Sequence, residues 1–514
     1  MSRLLALAAT LVLCSAALPA QAFTKFEGEY FFLLDLRKQD RRYVWDFDSN
    51  SDDTWNVVNL RLFSQPMNGV EAFLRFEAEW NTGNNNNRRP VFQYRDAHLR
   101  FRRDFQGWGV DSYLFSRQDR FWVNNHLLRI VEGGAANDGG NAQGARVDFW
   151  GLQGANFTLI GSDFSAQSHP NTGSQPDLPV ATDDAYVFRY RQEFFENKLR
   201  VGMTWNRRNN RFANSPDQYT SVLGFDTRYH FKGTDYLLAF AEGKQKLAGD
   251  PYERDGWRLS DFDWSDPSRM LPADAALAAE IRPWRVGGRG IGYFNAAGTV
   301  WYYGPQFRNE LGNGNNDEAG YWINTWYLIP GRAITWTNNY TSYTKRVTQA
   351  RHYTEYFSEL YVEFVNGFTG KLAYYDRTTR DWFTDGPSTV KVVTENDDIF
   401  AEMQVENRLA WMRVQFRIRD LDTLFQKELA AIETSLNISN PLKIYTRFAF
   451  GNDPARTRKG LFAELQWRPR YGLEVFLGYG PYWIGGGSNP VFDGNLQGSA
   501  DNRDLLRLSV KGTF

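Results

Sequence analysis

Little in this chain offers redox, metal or acid–base chemistry. One cysteine, Cys14, occurs in 514 residues, which excludes a disulfide framework and a cysteine-ligated metal site. Five histidines (His98, His126, His169, His230 and His352) are scattered without H-x3-H spacing, and no HExxH, GxSxG or P-loop string appears. A catalytic set needs nucleophile, base and orienter together. None is legible, so the expectation is a protein that is not an enzyme; His98 and His230, on polar faces, are the residues a hydrolase would use. Charge of one sign is also lacking: 59 Lys and Arg stand against 60 Asp and Glu, without the basic excess of a nucleic-acid binder. After residue 22 no apolar run reaches the roughly 20 residues of a transmembrane helix. What the chain has is aromatic rings, 16% of all residues, far from the composition of a disordered chain. With a mean hydropathy of -0.55, the candidates are a large soluble β protein and a β-barrel in a membrane.

The first 22 residues read as a cleaved signal peptide: Arg3, an apolar stretch from Leu4 to Leu18, and Ala20-Gln21-Ala22 as a cleavage site. Leu13 before Cys14 argues against a lipoprotein signal, so Cys14 belongs to the apolar stretch. The exported chain then begins at Phe23 and contains no cysteine, and residues 23–514 read as a single domain.

That domain is written in period two. Leu74, Phe76, Ala78 and Trp80 alternate with charged neighbours; so do Ala97, Leu99 and Phe101 with His98, Arg100 and Arg102. Tyr186, Phe188 and Tyr190 alternate with Arg189 and Arg191, and Val414, Phe416 and Ile418 with Arg413, Gln415, Arg417 and Arg419. Such alternation means strands between two solvents. The connections choose between sandwich and barrel. Tight ones (Gln65–Gly69, Arg103–Gly107, Lys232-Gly233, Ala297-Gly298, Asn366-Gly367) alternate with long polar ones (Lys38–Thr54, Asn81–Pro90, Arg120–Gln143, Lys244–Gly288, Arg377–Asn396). Transmembrane barrels have short turns at one end and long loops at the other. The fold expected is therefore an all-β, antiparallel outer-membrane barrel of a Gram-negative bacterium. Counting strands gives 20 to 24, and the accepted range is an even number from 18 to 24. The last residue, Phe514, with Val510, Leu508 and Leu506 in its parity, resembles the terminal strand read by the barrel-assembly machinery, although Gly512 stands where an aromatic is common.

Charge decides which face meets lipid. An Arg on the lipid face costs about 2–4 kcal/mol at mid-depth, so Arg413, Gln415, Arg417 and Arg419 must face the lumen. The preceding strand offers Glu402, Gln404, Glu406 and Arg408 on one face. With Leu409-Ala410 as the turn, Glu406 falls opposite Arg413 and Glu402 opposite Arg417, pairs that either neutralise the wall or form a graded lining that selects solutes. Trp80, Trp205, Trp467, Tyr479 and Trp483 suit aromatic girdles.

Two loops carry further expectations. Asp46, Asp48, Asn50 and Asp52 repeat at alternate positions as calcium ligands do. Ser51 and Val57 stand where an EF-hand has Gly and Glu, and a solvated acidic loop is the preferred reading; no cofactor is otherwise expected. Within Lys244–Gly288, the Ala-rich segment Pro272–Ile281 is helix-prone and suits a constriction folded into the pore.

One region goes beyond pattern. Leu114-Phe115-Ser116-Arg117-Gln118 is followed by Trp122, then by Gly144-Ala145-Arg146-Val147. This resembles the alginate-export family of outer-membrane channels, whose members show Gly-Arg-Gln at a strand end, a loop, then a Phe-Asp-Gly-x-Arg-Val strand. Ser116 replaces the Gly, and Ala142-Gln143 the Phe-Asp. The resemblance covers residues 92–151. It implies an 18-stranded barrel with an Arg-rich lumen that passes an anionic polysaccharide, with Arg117 and Gln118 near the pore. The function expected is a porin-like channel for polar or anionic solutes, with polysaccharide export as its narrower form. The alternative is a structural barrel anchoring a surface or envelope complex. Lipid and lipopolysaccharide are the expected surroundings.

Overall fold

A computed structural model describes residues 23–39, 42–45, 54–81, 91–118, 120–123, 127–132, 142–163, 180–212, 218–246, 274–288, 290–312, 317–329, 333–345, 351–385, 388–421, 423–424, 426–452, 459–480 and 505–514. The signal segment 1–22, the Asp46–Asp52 run and Trp483 lie outside the described residues.

Alternation becomes strands almost everywhere. In chain order they are β1 (Phe23–Gln39), β2 (Arg42–Trp45), β3 (Thr54–Met67), β4 (Val70–Asn81), β5 (Val91–Phe105), β6 (Trp108–Ser116), β7 (Gln143–Leu152) and β8 (Ala155–Asp163). Next come β9 (Val180–Phe194), β10 (Leu199–Phe212), β11 (Gln218–Phe231), β12 (Thr234–Lys246), β13 (Ala275–Gly288), β14 (Gly292–Tyr303), β15 (Glu318–Ile329) and β16 (Ile334–Lys345). The rest are β17 (Arg351–Val365), β18 (Phe368–Asp385), β19 (Ser388–Glu406), β20 (Ala410–Arg419), β21 (Lys427–Ser439), β22 (Leu442–Gly451), β23 (Lys459–Arg470), β24 (Leu473–Tyr479) and β25 (Leu505–Thr513). Short β2 pairs with the end of β1. The other 24 strands each pair antiparallel with their chain neighbours, and β1 pairs with both β3 and β25. The sheet therefore closes into a 24-stranded barrel, the top of the expected range and six strands more than the resemblance implies.

The seam runs from Glu29 opposite Thr513 to Arg37 opposite Leu505. Gly28 and Phe514 exchange backbone hydrogen bonds of 2.8 and 2.9 Å, and the Phe514 ring lies where a Cβ on Gly28 would be.

Loop length segregates by end. Every connection at one end is a turn of a few residues, as between β3 and β4, β11 and β12, or β17 and β18. At Lys232 and Gly233 both central residues have positive φ, 49° and 83°, the twist that lets a two-residue turn join right-twisted strands. The long connections, β6–β7, β12–β13 and β24–β25 among them, lie at the other end.

Three expectations change here. Ala297-Gly298 is no turn; both lie within β14, and the turn is between Gly288 and Gly292. Arg377–Asn396 is not a loop: β18 and β19 run on as one hairpin, paired from Arg377 with Asn396 to Asp385 with Ser388. The helix-prone segment at Pro272–Ile281 is, from Ala275 onward, the start of β13. Its alanines serve packing rather than helix propensity, since Ala276 and Ala278 lie buried beneath apolar side chains from two other loops.

The two faces of the sheet separate by chemistry. On β20, Met412, Val414 and Phe416 are each at least 40% exposed, whereas Gln415 between them is buried. The same outward parity carries Leu238 on β12, Trp336 on β16, Leu372 on β18 and Met403 on β19, all exposed. An apolar outer face around a closed, charged interior is the arrangement that satisfies every backbone group inside hydrocarbon. The protein is an outer-membrane barrel, and lipid covers its outer face.

Candidate functional site: the inner wall and its inward loops

Charged side chains line two arcs of the inner wall. In the first, β19 to β22, Arg413 donates to both carboxylate oxygens of Glu433 at 3.0 and 2.9 Å, and Arg447 holds the same carboxylate from the other side. Glu433 and Arg447 are 1% and 2% exposed. Gln415 donates to Glu402 at 2.6 Å. Arg417 bonds Asp398, and Arg419 lies 3.8 Å from it. All share the face opposite Val414 and Phe416. The expected register does not hold. The turn is Asn407 to Leu409, so Arg413 faces Gln404, Glu402 faces Gln415, and Glu406 faces Trp411. A slip of two residues keeps every side chain on its face but changes its partner; Arg413 turns to Glu433 on β21, and Arg417 to Asp398. Gln404 and Glu406 sit at the exposed turn end, 3.4 Å apart. Arg408 is not on the wall: it is in the turn, at the rim of a cavity of about 790 Å³ with Lys443 and Arg468.

The second arc runs from β4 to β11. Arg100 bonds Asp111 at 2.9 and 2.7 Å. His98 stacks on Phe73, ring centres 5.3 Å apart, and its Nε2 lies 3.1 Å from Glu71. Arg102 pairs with Asp104 near the turn end. Further round, Arg189 is buried against Asp226, with one contact of 2.9 Å, and also donates to Thr204 at 2.7 Å. A Cβ on Gly202 would strike that guanidinium. Arg191 and Arg200 share Glu193 at 3.6 and 3.2 Å.

The residues of the family resemblance meet at the root of the β6–β7 loop. Gln118 donates to Asp96 at 3.0 Å and to His98 Nδ1 at 3.1 Å. Its carbonyl oxygen accepts from Arg120 at 3.0 and 2.8 Å, and Arg120 also reaches His98 Nδ1 at 3.3 Å. Both neighbours can only donate, so Nδ1 accepts and the ring proton sits on Nε2, facing Glu71. Arg120 lies over the Tyr113 ring, 4.4 Å from its centre. Burial lowers its pKa from the ordinary arginine value. From β7, Arg146 grips Asp148 at 2.6 Å and donates to the loop carbonyls of Arg120 and Trp122 at 2.9 and 2.6 Å. Gln118 thus lies on the face of Asp96 and His98. Arg117 is turned away: with φ of 54° it bonds the Tyr94 carbonyl and lies over the Tyr94 ring, which packs on outward-facing Phe76.

That loop then enters the barrel. Phe121 and Val123 are buried with Val187 and Ile160 of the wall; Leu128 and Ile130 are buried with Val222, Ala239, Ala241, Ala276 and Ala278. The β14–β15 connection joins it through Phe307 and Leu311. The two loops share a backbone hydrogen bond, Glu132 to Leu311, of 2.9 Å. Asn206 on β10 donates to the Ile130 carbonyl at 2.5 Å and to Asn309 at 3.3 Å. Small wall residues make the room: a Cβ on Gly224 would come within 2.5 Å of Ile130. The inward packing therefore comes from residues 120–123, 127–132 and 304–312, while residues 275–281 form strand. Its signal in the sequence was Phe121-Trp122-Val123 and Leu127-Leu128, apolar clusters inside a segment read as a polar loop. The acids Asp226, Asp398 and Glu433 were also missed, because nothing local marks which acid an inward Arg will meet.

Of the girdle candidates, Trp467 is 47% exposed, and Trp205 bonds Ser221 at 3.0 Å. No family model matches the chain, and no curated protein sequence does. Among solved structures, a chain of the E. coli P pilus tip assembly intermediate PapC-PapD-PapK-PapG is similar at a TM-score of 0.54 and 7% identity, over 97% of this chain and 62% of that one. The siderophore receptor PirA of Pseudomonas aeruginosa aligns at a TM-score of 0.47 and 8% identity, over 95% and 80% of the two chains. The alcaligin outer-membrane receptor FauA of Bordetella pertussis aligns at 0.45 and 7%, over 95% and 76%. At these identities the likeness is one of fold.

Proposed function

We propose that the protein is a passive channel for polar and anionic solutes across the outer membrane, narrowed by its two inward loops. One observation carries this reading: the inner wall bears ion-paired Arg and acid side chains along two arcs of a closed barrel. Barrels of about 16 to 18 strands already enclose an aqueous channel, and this one has 24. Fixed charges near a narrow point raise the local concentration of opposite ions. The narrower reading, export of an anionic polysaccharide, is supported by the alginate-export resemblance, whose Gln118 and Arg146 here organise the root of the constricting loop.

Planar-bilayer recording of the purified chain tests it. Ohmic channels whose current falls on charge reversal at Arg413, Arg417 or Arg419 are expected. Well-folded protein without conductance would favour a barrel that anchors a surface complex.

A further inference from the structure

Between the two charged arcs, past the Lys371–Glu359 and Arg377–Glu355 pairs of β17 and β18, the inner wall of β15 and β16 has a different chemistry. On β15 the inward residues between Gly320 and Leu328 are Trp322, Asn324 and Trp326; of the outward ones, Tyr321 and Ile323 are exposed. Facing them on β16 are Thr341, Asn339 and Thr337. Among the described residues of β15 and β16, no charged side chain occurs on this inner face until the loop end, where Lys345 and Glu318 lie 3.8 Å apart. One step below that pair, Tyr343 stacks on Tyr353 of β17 with ring centres 4.6 Å apart and planes at 20°.

The polar groups of this strip are incompletely used. Asn324 and Asn339 lie opposite each other, and their side-chain carbonyl oxygens are buried without a hydrogen-bond donor among the described residues. Trp301 on β14 spends its indole N–H on Glu318 at 2.8 Å. The indoles of Trp322 and Trp326 have no such partner among the described residues. The two Trp positions are four residues apart, roughly 14 Å along a strand at about 3.4 Å per residue.

Flat rings on stretches of strand with no charge of their own, where the nearest acids, Glu355 and Glu359 of β17, are already held by Arg377 and Lys371, do little for a hydrated anion. A purely apolar solute would leave both amides unsatisfied, which buried polar groups resist. The solute that fits offers C–H surface on its faces and hydroxyls at its edges. We propose that the inner wall of β15 and β16 is a binding strip for uncharged pyranose rings. Ring faces lie on Trp322 and Trp326, and hydroxyls exchange hydrogen bonds with the Asn324 and Asn339 amides, whose carbonyl oxygens come to the lumen by rotation of the side chains. This deepens the channel reading and rests on it, adding neutral oligosaccharides to the charged solutes served by the Arg arcs.

The probe is maltohexaose, a neutral glucan, tested against the full-length protein in two ways. In planar bilayers it is expected to cause transient current block. The double variant Trp322→Ala/Trp326→Ala is expected to raise the half-blocking concentration at least tenfold with ion selectivity unchanged, while Trp322→Phe/Trp326→Phe keeps most of the block. In detergent, calorimetric titration of the same proteins is expected to give binding that the Ala pair loses. Folding is checked by heat-modifiable electrophoretic mobility. Conducting channels that neither maltohexaose nor cellohexaose blocks, or block unchanged in the Ala pair, would overturn the strip and leave the channel reading standing. If no variant conducts, the channel reading fails and the titration alone decides the strip: binding lost with the Ala pair supports it, and no binding by the unaltered protein refutes it.

Discussion

Glu433 stands between two guanidinium groups, Arg413 donating to both its oxygens and Arg447 closing the other side, with Glu433 and Arg447 almost sealed from solvent. Taking one member from a buried ionic group costs about 3–5 kcal/mol, because the partners keep their desolvation without compensation. Glu433→Gln should therefore lower the urea midpoint of the purified barrel markedly, followed by tryptophan fluorescence. An unchanged midpoint would mean that water reaches this triad freely.

The wall charges should set ion preference. Arg413, Arg417 and Arg419 all face inward. Replacing the three with Glu is expected to move the reversal potential under a KCl gradient toward cation selectivity. The control, the same change at outward Val414 alone, should instead impair insertion, by the cost of a charge against lipid. Equal reversal potentials in the triple variant and the parent would show that the current bypasses this wall.

Asn206 is the fastener of the constriction, bonding both loops at once. Asn206→Leu keeps the branched shape and heavy-atom count and removes both bonds, leaving the Ile130 carbonyl buried without this partner; the loss should be about 1–3 kcal/mol. Larger open-channel current and more frequent flicker are expected in single-channel records. Identical conductance would place the limiting aperture elsewhere.

Gly28 is predicted to be intolerant of a side chain, because the Phe514 ring occupies the space. Gly28→Val should weaken the seam by about 1–3 kcal/mol, the usual cost of forcing atoms into filled space. The measurement is the fraction of heat-modifiable, folded barrel. The pair Gly28→Val with Phe514→Ala should recover part of it.

The barrel was legible from parity because lipid leaves little freedom at mid-depth: positions such as Val414 and Phe416 must be apolar, and the Arg residues that alternate with them must turn in. The end-to-end segregation of connections followed for the same reason. Register was not legible. Shifting β19 against β20 by two residues leaves both faces intact, so the sequence around Leu409-Ala410 could not choose Gln404 over Glu406 as the residue opposite Arg413. Turn signals misled where a small residue served packing: Gly298 is in mid-strand, and Ala276 and Ala278 make room for Leu128 and Phe307. Within the resemblance motif, Gln118 turns to Asp96 and His98 and Arg117 to Tyr94, because a left-handed backbone at Arg117 reverses the alternation at the strand end.

The seam has a consequence for how the molecule comes into being. Every other full-length strand pair joins neighbours in sequence, so its contacts are local and can form as soon as both strands exist. Among the described strands, only the β1–β25 pair joins residues from opposite ends of the sheet. Until it forms, β1 and β25 both present rows of unpaired N–H and C=O groups, the template on which sheets aggregate. Closing a longer loop costs little more than a shorter one, so the hazard lies in waiting time rather than in free energy. Refolding yield should therefore fall as protein concentration rises, since a second open sheet competes with each chain's own far edge.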